Sequence, residues 1–207
     1  MKQRRKIKSY RLYEIEFTKE GAGEMIQLGD LSEIVAGRNI YRLPESERDR
    51  VYTMAEFEDD YYQMKLAPRE NEIIYQQSGT LPHIYAAVLS EAHQQKIISQ
   101  IFSIIRVDAT RLDPCYLCYQ LNESQEIAEQ SSALAHGSVL LRYTAKDLQH
   151  LKVPLPPLPT QQQIGRIYVT ALYQKYLANK QAEQRLAGVL AILRDIDETQ
   201  RRETNGE

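Results

Sequence analysis

Four consecutive residues, Asp113-Pro114-Cys115-Tyr116, come closest to a catalytic motif in this chain. Amino-methyltransferases use an Asp/Asn-Pro-Pro-Tyr/Phe loop, in which the polar side chain grips an exocyclic amine and the aromatic ring stacks on an extruded base. Here Cys115 replaces the second proline, and no glycine-rich turn after a strong strand offers a place for an adenosyl cofactor. We therefore interpret this segment as a helix start, with Asp113 as the N-cap.

Metal chemistry is the second kind that the residue types allow. Cys115 and Cys118 could form half of a zinc site, but the chain has no second cysteine pair and its four histidines lack ligand spacing. The acidic cluster Glu56, Glu58, Asp59 and Asp60 could bind a divalent ion, yet no Lys or His follows at a recognisable interval. We expect buried thiols, and a solvated turn or a subunit contact at the acidic cluster. Since Walker, Gly-x-Ser-x-Gly and His-Glu-x-x-His motifs are also missing, we expect no catalytic residue, metal or cofactor in this chain.

Composition narrows the class of protein. The 207 residues are 43% hydrophobic, enough for one packed domain and an appendage. Only two cysteines and no long apolar run favour a reducing, cytoplasmic location. The net charge of −2 excludes a uniformly basic nucleic-acid binder, although residues 2–11 carry six Lys or Arg and no acid. This basic N-terminal arm, assigned to residues 1–24, could contact phosphates or simply be solvated.

The elements that must position any site form an α+β fold. Short β-type runs alternate with Gly and Pro turns from about residue 25 to 151, which predicts a mixed β-sheet domain over residues 25–159. Within it, Ile97–Val107 is the clearest buried strand pair or long strand. Asp113 and Pro114 predict a helix of two to three turns after them.

A proline strap and one long helix complete the chain. Four prolines in residues 153–159 favour an extended strap, and Thr160 with Gln163 has the spacing of a capping box that starts a helix over residues 160–203. That helix carries an apolar seam with coiled-coil spacing, formed by Ile164, Tyr168, Leu172, Tyr176, Asn179, Ala182, Leu186, Val189, Leu193 and Ile196.

Two interpretations of the seam remain open. At 1.5 Å per residue the helix would be roughly 60 Å long, more than a compact domain of this size can cover. The seam either docks along the chain's own sheet domain or pairs with a helix of a second subunit, and we favour pairing. Asn179 either fixes the register of such a pair or faces solvent.

Four segments carry a family resemblance, in order along the chain. They are Gln27–Arg38 with its Leu-Gly-Asp, Glu72–Gly79 with a strand before a glycine turn, Leu112–Tyr119 with Pro114, Tyr116, Leu117 and Tyr119, and the block from Gly137 through Leu148, Leu151 and the prolines to Gln161 and Ile164. Together they resemble the specificity subunit of type I restriction–modification systems. That family joins two target-recognition domains by two long helices, so the resemblance implies a half-subunit form with one domain and one helix.

What the resemblance implies is a DNA-reading protein without catalysis of its own. Its expected partners are double-stranded DNA, a modification subunit that binds S-adenosylmethionine and methylates adenine, and a restriction subunit where one exists. A homodimer, with two antiparallel helices holding two domains apart, would read a bipartite, two-fold related sequence. The alternative is a protein-interaction module or regulator that binds a methyltransferase or phage protein without reading DNA.

Base reading is assigned to turn residues whose side chains can reach base edges. Arg pairs with guanine, Asn or Gln pairs with adenine, and Ser, Thr and Tyr contact phosphates. The predicted DNA-binding residues are Arg38, Asn39, Tyr41, Arg42, Gln76, Gln77, Ser78, Thr80 and His83.

Overall fold

The computed structural model describes residues 23–64, 72–76, 78–79, 84–134, 141–142 and 144–204. Three short 3-10 helices, at Leu28–Asp30, Ile40–Arg42 and Glu45–Arg50, accompany the main elements. Those elements are β1 Glu24–Gln27, β2 Ser32–Ala36, β3 Val51–Tyr52, α1 Met54–Tyr62, β4 Glu72–Gln76, β5 Ser78–Gly79, β6 Ala86–Val88, β7 Ile97–Ile98, β8 Phe102–Val107, α2 Pro114–Glu123, α3 Gln125–Leu134, β9 Leu141–Arg142, α4 Ala145–Gln149, β10 Lys152–Leu155 and α5 Leu158–Thr204.

A four-stranded antiparallel sheet in the order β2-β8-β4-β6 forms the centre of the domain. Two-stranded antiparallel pairs, β1 with β10 and β5 with β9, and a parallel pair, β3 with β7, surround it. The mixed strand arrangement and the long C-terminal helix confirm the predicted α+β class. The run Ile97–Val107 is divided between two strands, because a turn separates β7 from β8.

Both faces of the central sheet are covered, so its strands read as nearly continuous apolar runs rather than as an alternation. In β4, Ile73 and Tyr75 belong to the larger core, which also contains residues of α2, α4 and α5. Ile74 belongs to a smaller core on the other face, together with Phe57 of α1 and Phe102 of β8. Burial also raises the pKa of Tyr75 to about 12, chiefly through desolvation.

Helix α2 starts as its sequence predicts. Asp113 is the N-cap and accepts a hydrogen bond from the backbone N–H of Tyr116 at 2.8 Å, while Pro114 occupies the first turn, where it needs no amide partner. Cys115 and Cys118 are both buried, as expected, and no disulfide joins them. Desolvation raises the pKa of the Cys115 thiol to about 12 and that of Cys118 well above its usual value.

The proline strap is shorter than predicted. Residues Lys152–Leu155 are extended and pair with β1, but α5 begins at Leu158, two residues before the predicted Thr160. The carbonyl of Pro157 accepts the backbone N–H groups of Thr160 and Gln161, at 2.8 and 3.2 Å. Thr160 therefore lies in the first turn and is not the N-cap. Pro159 is tolerated there because first-turn amides have no partner within the helix.

Along α5 the environment changes at Tyr176. Up to that residue the helix packs against the domain, with Val169 and Leu172 buried in the larger core. Every residue from 177 to 201 is exposed. We call residues 158–176 the docked half and residues 177–201 the free half. The seam thus docks on its own domain only as far as Tyr176, and at 1.5 Å per residue the free half extends roughly 37 Å.

No helix among the described residues combines the length and the apolar character that crossing a membrane requires.

Candidate functional site

The segments that carry the predicted DNA-binding residues meet at one end of the central sheet. The register places Ala36 of β2 opposite Ser103, and Gln76 of β4 opposite Phe102. Ala86, the first residue of β6, lies opposite Tyr75 at the same end. The residues that follow β2 and β4, and those that precede β6 and β8, therefore all emerge here. We call this the loop end of the sheet.

The segment after β2 is fixed by a close backbone approach. A Cβ on Gly37 would lie 2.1 Å from the carbonyl oxygen of Ser99, so only glycine fits. The backbone N–H of Gly37 donates to Phe102 at 3.1 Å, that of Arg38 donates to Ile98 at 2.8 Å, and Arg38 forms a parallel bridge with Ser99. This predicted reading loop is therefore held firmly against the segment before β8.

Asn39, Tyr41 and Arg42 lie on the exposed surface of that loop. The Asn39 side chain accepts a hydrogen bond from the backbone N–H of Tyr41 at 3.0 Å and so caps the 3-10 helix Ile40–Arg42. Its amide nitrogen does not take part in that bond, and Tyr41 is 82% exposed. Arg38 and Arg42 are exposed as well. The four residues can thus present polar groups to a ligand.

The second predicted group is described only in part. Gln76 is half-buried at the last position of β4, and its backbone N–H donates to Tyr85 at 2.9 Å. Ser78 has a described backbone in β5, where it pairs with Arg142 of β9. Gln77, Thr80 and His83 lie outside the described residues. As a base-reading set, these residues remain a prediction.

Two features at the loop end were missed from sequence. The turn Ser99-Gln100-Ile101 precedes β8, the strand between β2 and β4, and so stands between the two predicted loops. Arg142 is placed opposite Ser78 by strand register. The turn was hidden because Ile97–Val107 reads as one apolar run. The polar pair Ser99-Gln100 inside that run was the available signal.

The opposite end of the sheet has a different character. There Arg106 of β8 bridges two acids from the neighbouring strands, Glu72 at 2.6 Å through Nε and Glu33 at 3.4 Å through Nη1. The hydrogen bond to Glu72, the larger cause, and that to Glu33 raise the pKa of the guanidinium. Because its arginine is already paired with carboxylates, this end offers less to an anionic ligand than the loop end does.

The acidic cluster is not a solvated turn, which corrects the expectation from sequence. It lies on α1, where Glu56 completes a capping box with Thr53 and pairs with Lys96 at 2.9 Å. The Thr53 hydroxyl, the largest cause, and Lys96 hold the pKa of Glu56 at about 2. Asp60 is buried, and its two oxygens engage the Tyr52 hydroxyl at 2.8 Å and His93 Nδ1 at 2.9 Å.

Asp59, Asp60 and His93 are close enough together for their ligand atoms to reach one metal ion. Both oxygens of Asp60 are, however, already used by protein groups within a packed core. A buried carboxylate with two hydrogen-bond partners is satisfied without an ion. The cluster therefore ties α1 to the segment before β7, and His93 and Lys96 are the partners that sequence spacing did not reveal.

The Asp-Pro-Cys-Tyr segment also has a structural role. The Tyr116 ring is buried, and its hydroxyl donates to the carbonyl of Pro154 at 2.8 Å. An aromatic ring enclosed in this way cannot stack on an extruded base. The methyltransferase interpretation of this segment is thus excluded by its position in the core.

A second structural site joins α5 to the domain. Gln161 is 1% exposed, and its side chain accepts from the backbone N–H of Asp113 at 2.9 Å. Its amide nitrogen donates to the carbonyls of Arg111 at 3.0 Å and Pro156 at 2.8 Å. A Cβ on Gly165 would lie 2.8 Å from the Tyr116 backbone nitrogen. We call Asp113, Gln161 and Gly165 the α2–α5 joint, which fixes the direction in which α5 leaves the domain.

The predicted partner helix residues divide between the two halves of α5. Ile164, Tyr168 and Leu172 are buried or half-buried against the domain. Asn179 is exposed, so its role in register stays a prediction. The other exposed seam residues are Ala182, Leu186, Val189, Leu193 and Ile196. Leu177, Leu190 and Ile192 widen the apolar stripe beyond the predicted seam, Ile192 being 61% exposed.

Several solved structures are similar to this chain. The chain is similar to a type I restriction–modification S subunit from M. genitalium, at 15% identity over 87% of this chain and 45% of that chain, with a TM-score of 0.47. An HsdS subunit from Thermoanaerobacter tengcongensis matches at 20% identity over 84% of this chain and 42% of its own, with a TM-score of 0.49. A third structure, described as showing complex assembly and conformational transition of the type I R-M system, matches at 19% identity over 89% of this chain and 46% of its own, with a TM-score of 0.50.

This chain therefore spans slightly less than half the length of the solved chains that it matches. No curated protein gives a significant match. A family model described as "Type I restriction modification DNA specificity domain" matches residues 22–186, which is most of the chain. That match covers the central sheet, the loop end, the α2–α5 joint and the first part of α5, and the chain belongs to the family of type I restriction modification DNA specificity domains.

Proposed function

We propose that this chain selects the DNA sequence at which a separate adenine methyltransferase acts, and that it performs no chemistry itself. The observation that carries the proposal is the loop end: in a domain of the DNA specificity family, two segments with base-pairing side chains emerge at the same end of one sheet, on either side of β8. Exposed Arg38 and Arg42 supply cations and guanine-pairing groups there, while Asn39 and Gln76 supply amides.

The remaining parts of the assembly belong to the same proposal. The methyltransferase subunit would bind S-adenosylmethionine and be directed to the selected site, and a restriction subunit would join where one exists. Because those partners carry the catalytic machinery, this chain needs only a reading surface and a docking surface. A cytoplasmic location follows from that role.

The free half of α5 supports a homodimer. Its exposed stripe places Leu186, Val189, Leu193 and Ile196 at the spacing of a coiled-coil seam. Water contact with so many apolar side chains is unfavourable, and a second copy of the helix would cover them. Two antiparallel copies would set two loop ends apart by a fixed distance, which suits a bipartite, two-fold related DNA site with an unread spacer.

Methylome sequencing of the source cells, with and without this chain, tests the reading function. Loss of adenine methylation at one bipartite, two-fold related motif is the expected result. An unchanged methylome would overturn the proposal. Binding of a methyltransferase by a chain that shows no sequence preference on DNA would instead establish the interaction-module alternative.

Replacement of one arginine localises the reading surface. Arg38→Ala should weaken specific DNA binding by roughly tenfold or more if the side chain pairs with guanine. Arg106→Ala removes an arginine from the opposite end of the same sheet and should leave specific binding within about twofold. Titrations of duplex DNA across salt concentration separate base-specific from phosphate contacts, because phosphate contacts set the salt dependence. Equal losses for the two variants would contradict the assignment to the loop end.

Sedimentation at micromolar concentration tests the dimer. The expected mass is twice the 24.0 kDa of one chain. Leu193→Glu places a charge on the seam and should yield the monomer, whereas Ala191→Glu adds the same charge to the same helix away from the seam and should not. A wild-type chain that sediments as a monomer would refute dimerisation through α5.

A further inference from the structure

The turn Ser99–Ile101 occupies the centre of the loop end. Strand β8 lies between β2 and β4 in the sheet, so the turn that leads into it separates the segment after β2 from the segment after β4. Any duplex DNA that touches both outer segments at once must pass over this turn. Its side chains are therefore placed where base contacts would be made.

The backbone of the turn is held in place by a hydrogen bond and by packing. Its backbone is closed by a hydrogen bond from the N–H of Phe102 to the carbonyl of Ser99 at 2.9 Å. Ser99 is 2% exposed, and the Gly37 backbone packs directly against its carbonyl. Ile98 and Phe102, on either side of the turn, are buried in the smaller core. Only the two residues at the tip, Gln100 and Ile101, face away from the core.

The two tip residues have complementary chemistry for one kind of base pair. Ile101 is 48% exposed, although the other isoleucines of this run, at 97, 98, 104 and 105, are buried or half-buried. In the major groove the thymine methyl group is the apolar feature that such a side chain can contact. The Gln100 amide is partly exposed and can donate to and accept from the adenine edge.

We propose that Ser99–Ile101 is a third base-reading element. In this element Ile101 packs on the methyl group of a thymine, and Gln100 bonds the adenine of the same A·T base pair. The inference rests on the proposed function, because it assumes that the loop end reads duplex DNA. It adds the central contact and the base pair that this contact selects.

Thymine replacement tests this contact directly. A randomised duplex pool is first enriched on the purified full chain to obtain its preferred sequence. Each thymine of that sequence is then replaced by deoxyuridine, which removes only the methyl group. At one position the wild-type chain should lose about fourfold in affinity, the effect of one methyl-sized apolar contact. Ile101→Ser should bind the thymine and deoxyuridine duplexes equally, and Met25→Ser, an exposed apolar residue on β1, should keep the wild-type difference.

The outcomes separate this inference from the proposed function. At the same base pair, Gln100→Ala should reduce the preference of the chain for adenine over guanine by about tenfold. Because both tip residues are at least partly exposed, circular dichroism of the variants should match that of the wild type. Enrichment of a sequence whose thymines all tolerate deoxyuridine, or an Ile101→Ser variant with an unchanged thymine preference, would overturn the inference alone. If no sequence is enriched, the proposed function fails, and this inference fails with it.

Discussion

The two halves of α5 share one sequence pattern but have opposite environments. The apolar stripe runs without interruption of its spacing from Ile164 to Ile196. In the docked half it fills the core, whereas in the free half every residue through 201 is exposed. What distinguishes the halves is the contact that the domain makes at the α2–α5 joint. Periodicity therefore predicts that a helical face will be buried, but it does not identify the surface that buries it.

The halves also differ in how polar groups are used. In the docked half, polar side chains bond to the domain: the buried Gln161 bonds three backbone groups, and the hydroxyl of the half-buried Tyr168 accepts from Asn122 at 3.0 Å. Asn122 in turn bonds both backbone groups of Ala86 on the outer strand β6. Such bonds fix one orientation of the helix, because a shift would leave buried groups unpaired. Substitutions in the docked half should consequently cost far more than matched substitutions in the free half or on the exposed surface.

The largest loss of stability is expected from a substitution at Gln161. Gln161→Leu keeps the approximate side-chain size but leaves the N–H of Asp113 and the carbonyls of Arg111 and Pro156 without their partner. A loss of about 3 kcal/mol in the free energy of unfolding should follow, since each buried unsatisfied group costs about 1–3 kcal/mol. Urea denaturation provides the measurement. The neighbouring exposed Gln162→Leu is the matched control and should change stability by less than about 0.5 kcal/mol. Equal midpoints for the two variants would show that the joint does not anchor α5.

The next test makes the same kind of substitution, glycine to alanine, in each half separately. Gly165→Ala should destabilise the protein by about 1–3 kcal/mol, because its Cβ would lie 2.8 Å from both the Asp113 carboxylate and the backbone nitrogen of Tyr116. Gly188→Ala, in the free half, meets nothing within 4 Å and should stabilise the helix by about 0.5–1 kcal/mol. The opposite signs are the essential result. Two changes of the same sign in urea denaturation would remove the distinction between the halves.

The change of environment at Tyr176 permits a finer test. Its ring stacks on Tyr62 of α1 at a centroid distance of 6.0 Å, which is the last aromatic contact between α5 and the domain among the described residues. Tyr176→Ala should lower the free energy of unfolding by about 1 kcal/mol. Leu177→Ala, one residue later and exposed, should alter it by less than about 0.5 kcal/mol. A larger loss for Leu177→Ala would move the boundary toward the C-terminus.

Local chemistry explains which parts of the fold were predictable. The start of α2 follows from Asp113 and Pro114, both of which act within one turn. The start of α5 was placed two residues late because Thr160 and Gln163 give a capping signal that competes with the bonds to the Pro157 carbonyl. The two local signals predict different first residues for α5, and the backbone hydrogen bonds of the folded chain show which one is correct.

Long-range pairing explains what sequence could not give. Asp60 and His93 are 33 residues apart, so no spacing rule connects them. The segments at Arg38 and Gln76 were recognised by turn chemistry, yet their position at one end of the same sheet, on either side of β8, depends on the strand order β2-β8-β4. The turn Ser99–Ile101 was missed because Ile97–Val107 reads as one apolar run. Its importance arises from its place between the two segments, which no local pattern encodes.

The mildest probe of the docked half leaves the structure unchanged and measures the reactivity of Cys115, a thiol of α2 that the docked half covers. Cys115 lies under Gly165 of α5, and burial raises its pKa to about 12. The thiol should therefore stay protonated at pH 8.5, and iodoacetamide should react with it mainly through unfolding. Because the pKa of the folded thiol is higher than that of an unfolded thiol, keeping the thiol protonated in the core contributes to the free energy of unfolding. This contribution is fully present below the pKa of the unfolded thiol, and it is lost as the pH rises toward about 12. Ala191→Cys supplies an exposed reference thiol in the free half, which should react at an ordinary rate at pH 8.5. If Cys115 in the native protein reacted as fast as this reference thiol, the docked half would not protect Cys115 from solvent. The contrast between the two halves would then not hold in solution.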